Sequence, residues 1–148
     1  VQAMKKVILY TQEHVPVAPM HEMSVAEDKT RQNAISESAV ALAEQLRAVA
    51  IVAETKSGAT AANIASHRPN LPIVSVTSSA RAAQQLALSY ANKSFVRPDG
   101  DKAGLELAKE LKASGFFNDE NELTVVIVSG RQPGEIGGTD TIRVRVLK

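Results

Sequence analysis

Residues 123–129, Leu-Thr-Val-Val-Ile-Val-Ser, set the tightest limit on what this chain can fold into. The run is short, β-branched and almost wholly apolar, with no alternation of apolar and polar positions. Such a strand needs cover on both faces, which is the situation of a strand inside a parallel sheet flanked by helices. Similar runs lie at 49–55 and 72–77, with a shorter one at 94–96. Segments of helical spacing separate them, at 59–66, 79–90 and 101–114, the last with Leu107, Ala108 and Leu111 on one face. Upstream, residues 28–47 line up Ile35, Ala39, Leu42 and Leu46 on one stripe, and Asp28 or Thr30 is placed to cap that helix. The last run, 141–147, alternates with period two, as an edge strand covered on one face would. Strand and helix in turn predict an α/β fold: three layers, α/β/α, around a five-stranded and mostly parallel sheet.

A further helix is expected ahead of this unit. Met4, Val7, Ile8 and Thr11 have helical spacing, and no capping residue precedes Val1. Residues 15–24 carry two prolines and no periodicity, which reads as a linker. The expected division is therefore residues 1–24, helix and linker, and residues 25–148, the α/β domain.

Composition narrows the chemistry. With 44% hydrophobic residues, 3% aromatic residues and no Trp, the core must be aliphatic. The 17 basic and 16 acidic side chains leave a net charge of +1, so no charge field favours nucleic acid or an acidic membrane surface. The absence of Cys excludes disulfides, thiolate catalysis and Cys-ligated zinc, and is compatible with a reducing cytoplasm. No apolar run approaches the roughly 20 residues of a membrane span. His14, His21 and His67 have no metal-ligand spacing, so no metal site is expected. Asp119, Glu120 and Glu122 read as a solvated polar turn.

Ligands of parallel sheets bind at the carboxyl ends of the strands. There the chain places Thr55-Lys56-Ser57-Gly58-Ala59-Thr60, between an apolar run and a helical segment. The amides of Gly58 and Ala59, the hydroxyls of Thr55, Ser57 and Thr60, and the charge of Lys56 together suit a phosphate. The plainer alternative is an ordinary turn with Ser57 as the helix cap. The Gly-Lys-Ser/Thr ending of a nucleotide P-loop is missing, so ATP hydrolysis is not indicated. A second loop, 129–140, holds four glycines and a proline between two strands, which lets backbone approach a ligand closely. Its plainer reading is a long connection with positive φ angles. Thr77, Ser78 and Ser79 sit at a third strand end, as a helix cap or as a further hydroxyl for the same pocket.

Taken in order, several strings resemble the C-terminal domain of pyruvate kinase. They are Ala34-Ile35-Ser36-Glu37-Ser38-Ala39-Val40, then Ala50-Ile51-Val52-Ala53-Glu54-Thr55-Lys56-Ser57-Gly58-Ala59-Thr60-Ala61, and His67-Arg68-Pro69-Asn70-Leu71-Pro72-Ile73-Val74-Ser75-Val76-Thr77. The ending from Val125 through Ser129-Gly130 to Gly138-Thr139-Asp140-Thr141-Ile142-Arg143-Val144 fits as well, and Val1-Gln2-Ala3-Met4 resembles the last helix of that enzyme's barrel. The resemblance implies an α/β unit with a five-stranded sheet that carries an allosteric effector site and a subunit interface. It implies that catalysis, phosphate transfer from phosphoenolpyruvate to ADP with Mg²⁺ and K⁺, belongs to a (β/α)₈ barrel that these residues do not include. The chain is thus expected to be regulatory and inactive alone, with no cofactor of its own, in a cytoplasmic glycolytic enzyme.

By the same resemblance, the effector phosphate falls on Thr55, Lys56, Ser57, Gly58, Ala59 and Thr60. The effector loop falls on Gly130, Arg131, Gln132, Pro133, Gly134, Glu135, Gly137, Gly138 and Thr139. The expected partners are a phosphorylated small molecule, a sugar phosphate or nucleoside monophosphate, and further copies of the chain in a homo-oligomer. No nucleic acid and no membrane are expected. The stretch from Phe95 to Leu123 lacks the Trp that members regulated by fructose bisphosphate use for a second phosphate, with Arg97 the nearest basic candidate. Together with Glu135, this favours an effector with a single phosphate. Two alternatives remain: a structural domain used for assembly only, through the strand at 141–147, and a free-standing small enzyme of the same fold class.

Overall fold

A computed structural model of the protein describes residues 1–15, 30–117, 122–130 and 138–148. The elements follow in the order α1 (Gln2–His14), α2 (Arg31–Gln45), β1 (Ala50–Glu54), α3 (Ala59–Ser66), β2 (Ile73–Thr77), α4 (Ala80–Leu86), β3 (Asn92–Val96), α5 (Ala103–Ala113), β4 (Leu123–Gly130) and β5 (Thr139–Leu147). The five strands form one sheet in the order β3-β2-β1-β4-β5. β1 to β4 run parallel, and β5 pairs antiparallel with β4.

The layers follow from the handedness of parallel crossovers. β1 to β2 and β2 to β3 step one way across the sheet, and β3 to β4 steps back, so right-handed connections put α5 on the opposite face from α3 and α4. The core divides accordingly. Ile51, Ala53, Ile73, Val126 and Val128 pack with Ala39, Ala43, Ala61, Ile64 and Leu86 on the side of α2, α3 and α4. Val52, Val74, Val76, Val125 and Ile127 pack with Leu107, Ala108 and Leu111 of α5 on the other. With both faces covered, β2 is buried at all five positions, the hydroxyl residues Ser75 and Thr77 included.

Several boundaries are tighter than the sequence spacing suggests. α2 begins at Arg31 because the Thr30 side chain accepts from the Asn33 amide. It stops at Gln45 because Arg47 takes a positive φ of 50° and the Ala48 amide returns to the Ala43 carbonyl. Asp28, the other candidate cap, lies outside the described residues. α4 ends at Leu86 rather than near residue 90. The amides of Ala87, Leu88 and Ser89 bond three residues back, and the Asn92 side chain donates to the Leu86 carbonyl, which closes the helix early. β3 is longer than residues 94–96, because Asn92 and Lys93 already pair with Ile73 and Val74.

β5 departs from the expected clean alternation. Ile142, Val144 and Val146 share the α2 side with their partners Val128, Val126 and Thr124. Ile142 packs into that core, whereas Val144 and Val146 remain 37% and 51% exposed. α1 is helical as its spacing requires, and none of its residues is buried.

Candidate phosphate site at the sheet's switch point

β1 connects to β2 on one side of it and β4 connects to β5 on the other, so the crevice beyond the adjacent ends of β1 and β4 is the topological switch point. Residues 55–60 leave β1 there. The Thr55 amide still donates to the Val76 carbonyl, and the Thr55 hydroxyl then turns back to accept from the Gly58 amide at 3.0 Å. Gly58 is the N-cap of α3 with φ of 91°, a left-handed conformation that glycine adopts without steric cost. A Cβ on it would also lie 3.3 Å from Leu86 Cγ.

Neighbouring residues brace this turn. The Thr77 hydroxyl donates to the Lys56 carbonyl at 3.2 Å and accepts from the Ser79 amide at 3.1 Å. Ser79 caps α4 by accepting from Ala82. Of the hydroxyls at this strand end, Ser79 is therefore a cap and Thr77 holds the backbone of the candidate turn.

What the turn offers outward is specific. Lys56 and Ser57 are exposed. The Ser57 hydroxyl lies 3.5 Å from the Ala59 amide, at the outer limit of a hydrogen bond, so Gly58 rather than Ser57 caps the helix. The first intrahelical bond runs from Ala62 to the Gly58 carbonyl, and the amides of Ala59, Thr60 and Ala61 precede it. No acidic residue stands in the first turn to compete for them. The Thr60 hydroxyl, in contrast, is buried and lies 2.7 Å from the hydroxyl of Thr139.

That contact joins the turn to the second loop. Gly130 ends β4 and Thr139 opens β5, with a register shift between Ser129 and Gly130. The backbones of Gly130 and Gly138 come so close that a Cβ on Gly130 would collide with the Gly138 carbonyl. Arg131, Gln132, Pro133, Gly134, Glu135 and Gly137 lie outside the described residues. At the base of the loop, the Gln32 side-chain amide approaches the Thr139 hydroxyl at 3.5 Å. No motif in the sequence pointed to Gln32, which lies on α2, 107 residues from its partner.

On the α5 side, Glu54 forms a second cluster. Its Oε1 accepts from the Gly104 amide at 2.8 Å, and its Oε2 accepts from Arg143 Nη2 at 2.9 Å. The same Nη2 donates to the Ser129 hydroxyl at 3.1 Å. Arg143 therefore faces Glu54, while the exposed Arg145 donates to the Val144 carbonyl. Arg97 is exposed and paired with Glu110 on α5. His67 ends α3, with its Nε2 3.0 Å from Asn33 Oδ1. Among the described residues no group of three or more His, Cys, Asp or Glu is placed to hold a metal ion. No helix among them is long and apolar enough to cross a membrane.

These features define a doubly wound α/β domain with its candidate ligand turn at the carboxyl ends of its strands. A family model described as pyruvate kinase, alpha/beta domain, matches residues 33–145, and the chain belongs to that family. Among curated relatives, the pyruvate kinase of Corynebacterium efficiens is 34% identical over 122 residues, covering 80% of this chain and 25% of its own length. The pyruvate kinase of Mycobacterium tuberculosis is 31% identical over 154 residues, covering 97% of this chain and 30% of its own length. Pyruvate kinase 2 of Synechocystis is 34% identical over 118 residues, covering 78% of this chain and 20% of its own length. The chain thus spans less than a third of each of these relatives.

Proposed function

We propose that this chain is the regulatory and oligomerisation domain of a pyruvate kinase, binding a phosphorylated effector and performing no catalysis itself. The parent reaction is the transfer of phosphate from phosphoenolpyruvate to ADP, in the cytoplasm, on a barrel outside this chain. The observation that carries the effector reading is the start of α3. Its first amides, the exposed Ser57 hydroxyl and the exposed Lys56 meet at the switch point with no acidic residue in the first turn. A phosphate there gains from the helix dipole and from charge-assisted hydrogen bonds. Gly130, Gly138 and Thr139 form the adjoining wall, tied to the turn through Thr60. A sugar phosphate or a nucleoside monophosphate fits this chemistry.

The deciding experiment is titration of the chain with ribose 5-phosphate and adenosine monophosphate by calorimetry, in wild type and Ser57→Ala. Loss of the hydroxyl should weaken binding by about 1.5–3 kcal/mol. An affinity unchanged in Ser57→Ala would remove the turn from the site.

A second reading, assembly without an effector, is favoured by β5. It is an edge strand, and Val144 and Val146 on it are exposed. Pairing of two such edges across a two-fold axis would cover them. A concentration-dependent dimer in ultracentrifugation, abolished by Val146→Lys, together with no binding of either phosphate ester, would establish assembly as the sole role.

A further inference from the structure

Two helix N-termini flank the switch-point crevice, and they are not equivalent. The first turn of α3 holds no acidic residue. That of α5 is met by a carboxylate from β1: Glu54 Oε1 accepts from the Gly104 amide at 2.8 Å, in space open only because residue 104 has no Cβ. The other Glu54 oxygen is paired with Arg143, and the two side chains are only 17% and 30% exposed. The Ser129 hydroxyl completes the group. A helix amide, a guanidinium and a hydroxyl around one negative charge are the partners that recognise a phosphate or carboxylate. Arg143 retains unspent capacity as well, since its Nε is buried without a partner.

We infer that Glu54 is a specificity-determining residue: it occupies the anion position between Gly104, Arg143 and Ser129, and so confines a ligand's phosphate to the start of α3. A molecule carrying a second phosphate would have to displace a paired carboxylate and leave it uncompensated beside the incoming charge. The crevice therefore selects ligands with a single phosphate. The inference rests on the phosphate reading above for the open position, whereas the closed position is defined by Glu54, with the exposed Glu106 adding a second acidic side chain to the first turn of α5.

The test is a titration with inorganic phosphate at constant ionic strength, followed by ¹H–¹⁵N spectra of wild type, Glu54→Ala and Glu54→Ala/Arg143→Met. Wild type should show shifts at Gly58 and Ala59 and none that saturate at Gly104. Glu54→Ala should add a saturating shift at Gly104, lost again in the double variant. A Gly104 amide that stays unmoved in Glu54→Ala, or that already responds in wild type, overturns the inference. Silence at Gly58 and Ala59 in wild type counts against the α3 reading instead, and leaves the comparison at Gly104 to be read separately. If Glu54→Ala does not fold in chloride, recovery of its folded spectrum in phosphate, and not in the double variant, is the expected result. Equal failure in both salts overturns the inference.

Discussion

The hydroxyl of Thr60 in the first turn of α3 lies 2.7 Å from the hydroxyl of Thr139, the first residue of β5. Seventy-nine residues separate them, both are buried, and the contact ties the candidate phosphate turn to the exit of the glycine-rich loop. Replacing Thr139 with Val keeps the shape and leaves the Thr60 hydroxyl unsatisfied. Chemical denaturation should show a loss of about 1–3 kcal/mol. Thr139→Ser, which restores the hydroxyl, should recover most of it.

The layered fold was legible because its cause is local. Near-continuous apolar runs such as residues 123–129 demand two covered faces, and helices of matching spacing supply them. What was not legible depends on tertiary approach. Ser57 has the residue type and position of a cap, yet Gly58 takes that role, because the Thr55 hydroxyl captures the Gly58 amide and winds the turn one residue further. Thr77 looked like part of a cap and instead braces Lys56 of the turn. Neither Gln32 nor the joining of Glu54 to Arg143 across β4 leaves any mark in sequence spacing, because both are set by how the elements pack. The basic residues divide on the same principle, with Arg143 held inward and Arg97 spent on Glu110.

Gly58 should not tolerate a side chain. At φ of 91°, Ala is strained by about 1–2 kcal/mol, and its Cβ would press on Leu86 Cγ at 3.3 Å. Gly58→Ala is expected to lower the melting temperature and also to weaken phosphate-ester binding, since the amides of the turn would rotate out of line. Calorimetry with and without ligand reads both effects.

Breaking the ion pair on the α5 side should be costly from the Arg143 end. Arg143→Met leaves the Glu54 carboxylate largely buried with the Gly104 amide as its remaining partner at 2.8 Å. Removal of one member of a fully buried pair costs about 3–5 kcal/mol. The partial exposure of Arg143 brings the expected loss nearer to about 2 kcal/mol, between that figure and the small value of a surface pair. Urea denaturation of the variant against wild type measures it, and an unchanged midpoint would show that the pair contributes nothing net.

Gly104→Ala sets helix propensity against packing. Within a helix, Ala is favoured over Gly by about 1 kcal/mol, so a gain is expected wherever the site is open. Here the added Cβ would fall 2.7 Å from Glu54 Oε1, 2.9 Å from Glu54 Cγ and 3.1 Å from Val52 Cγ1. Glu54 must then swing away from the α5 amide, or α5 must lift from β1. Overpacking of this kind costs about 1–3 kcal/mol, so packing should outweigh propensity and the variant should be less stable than wild type. Thermal denaturation decides the sign. A variant more stable than wild type would mean that Glu54 leaves its place at little cost, and that the close approach of β1 to α5 does not hold the carboxylate against the helix.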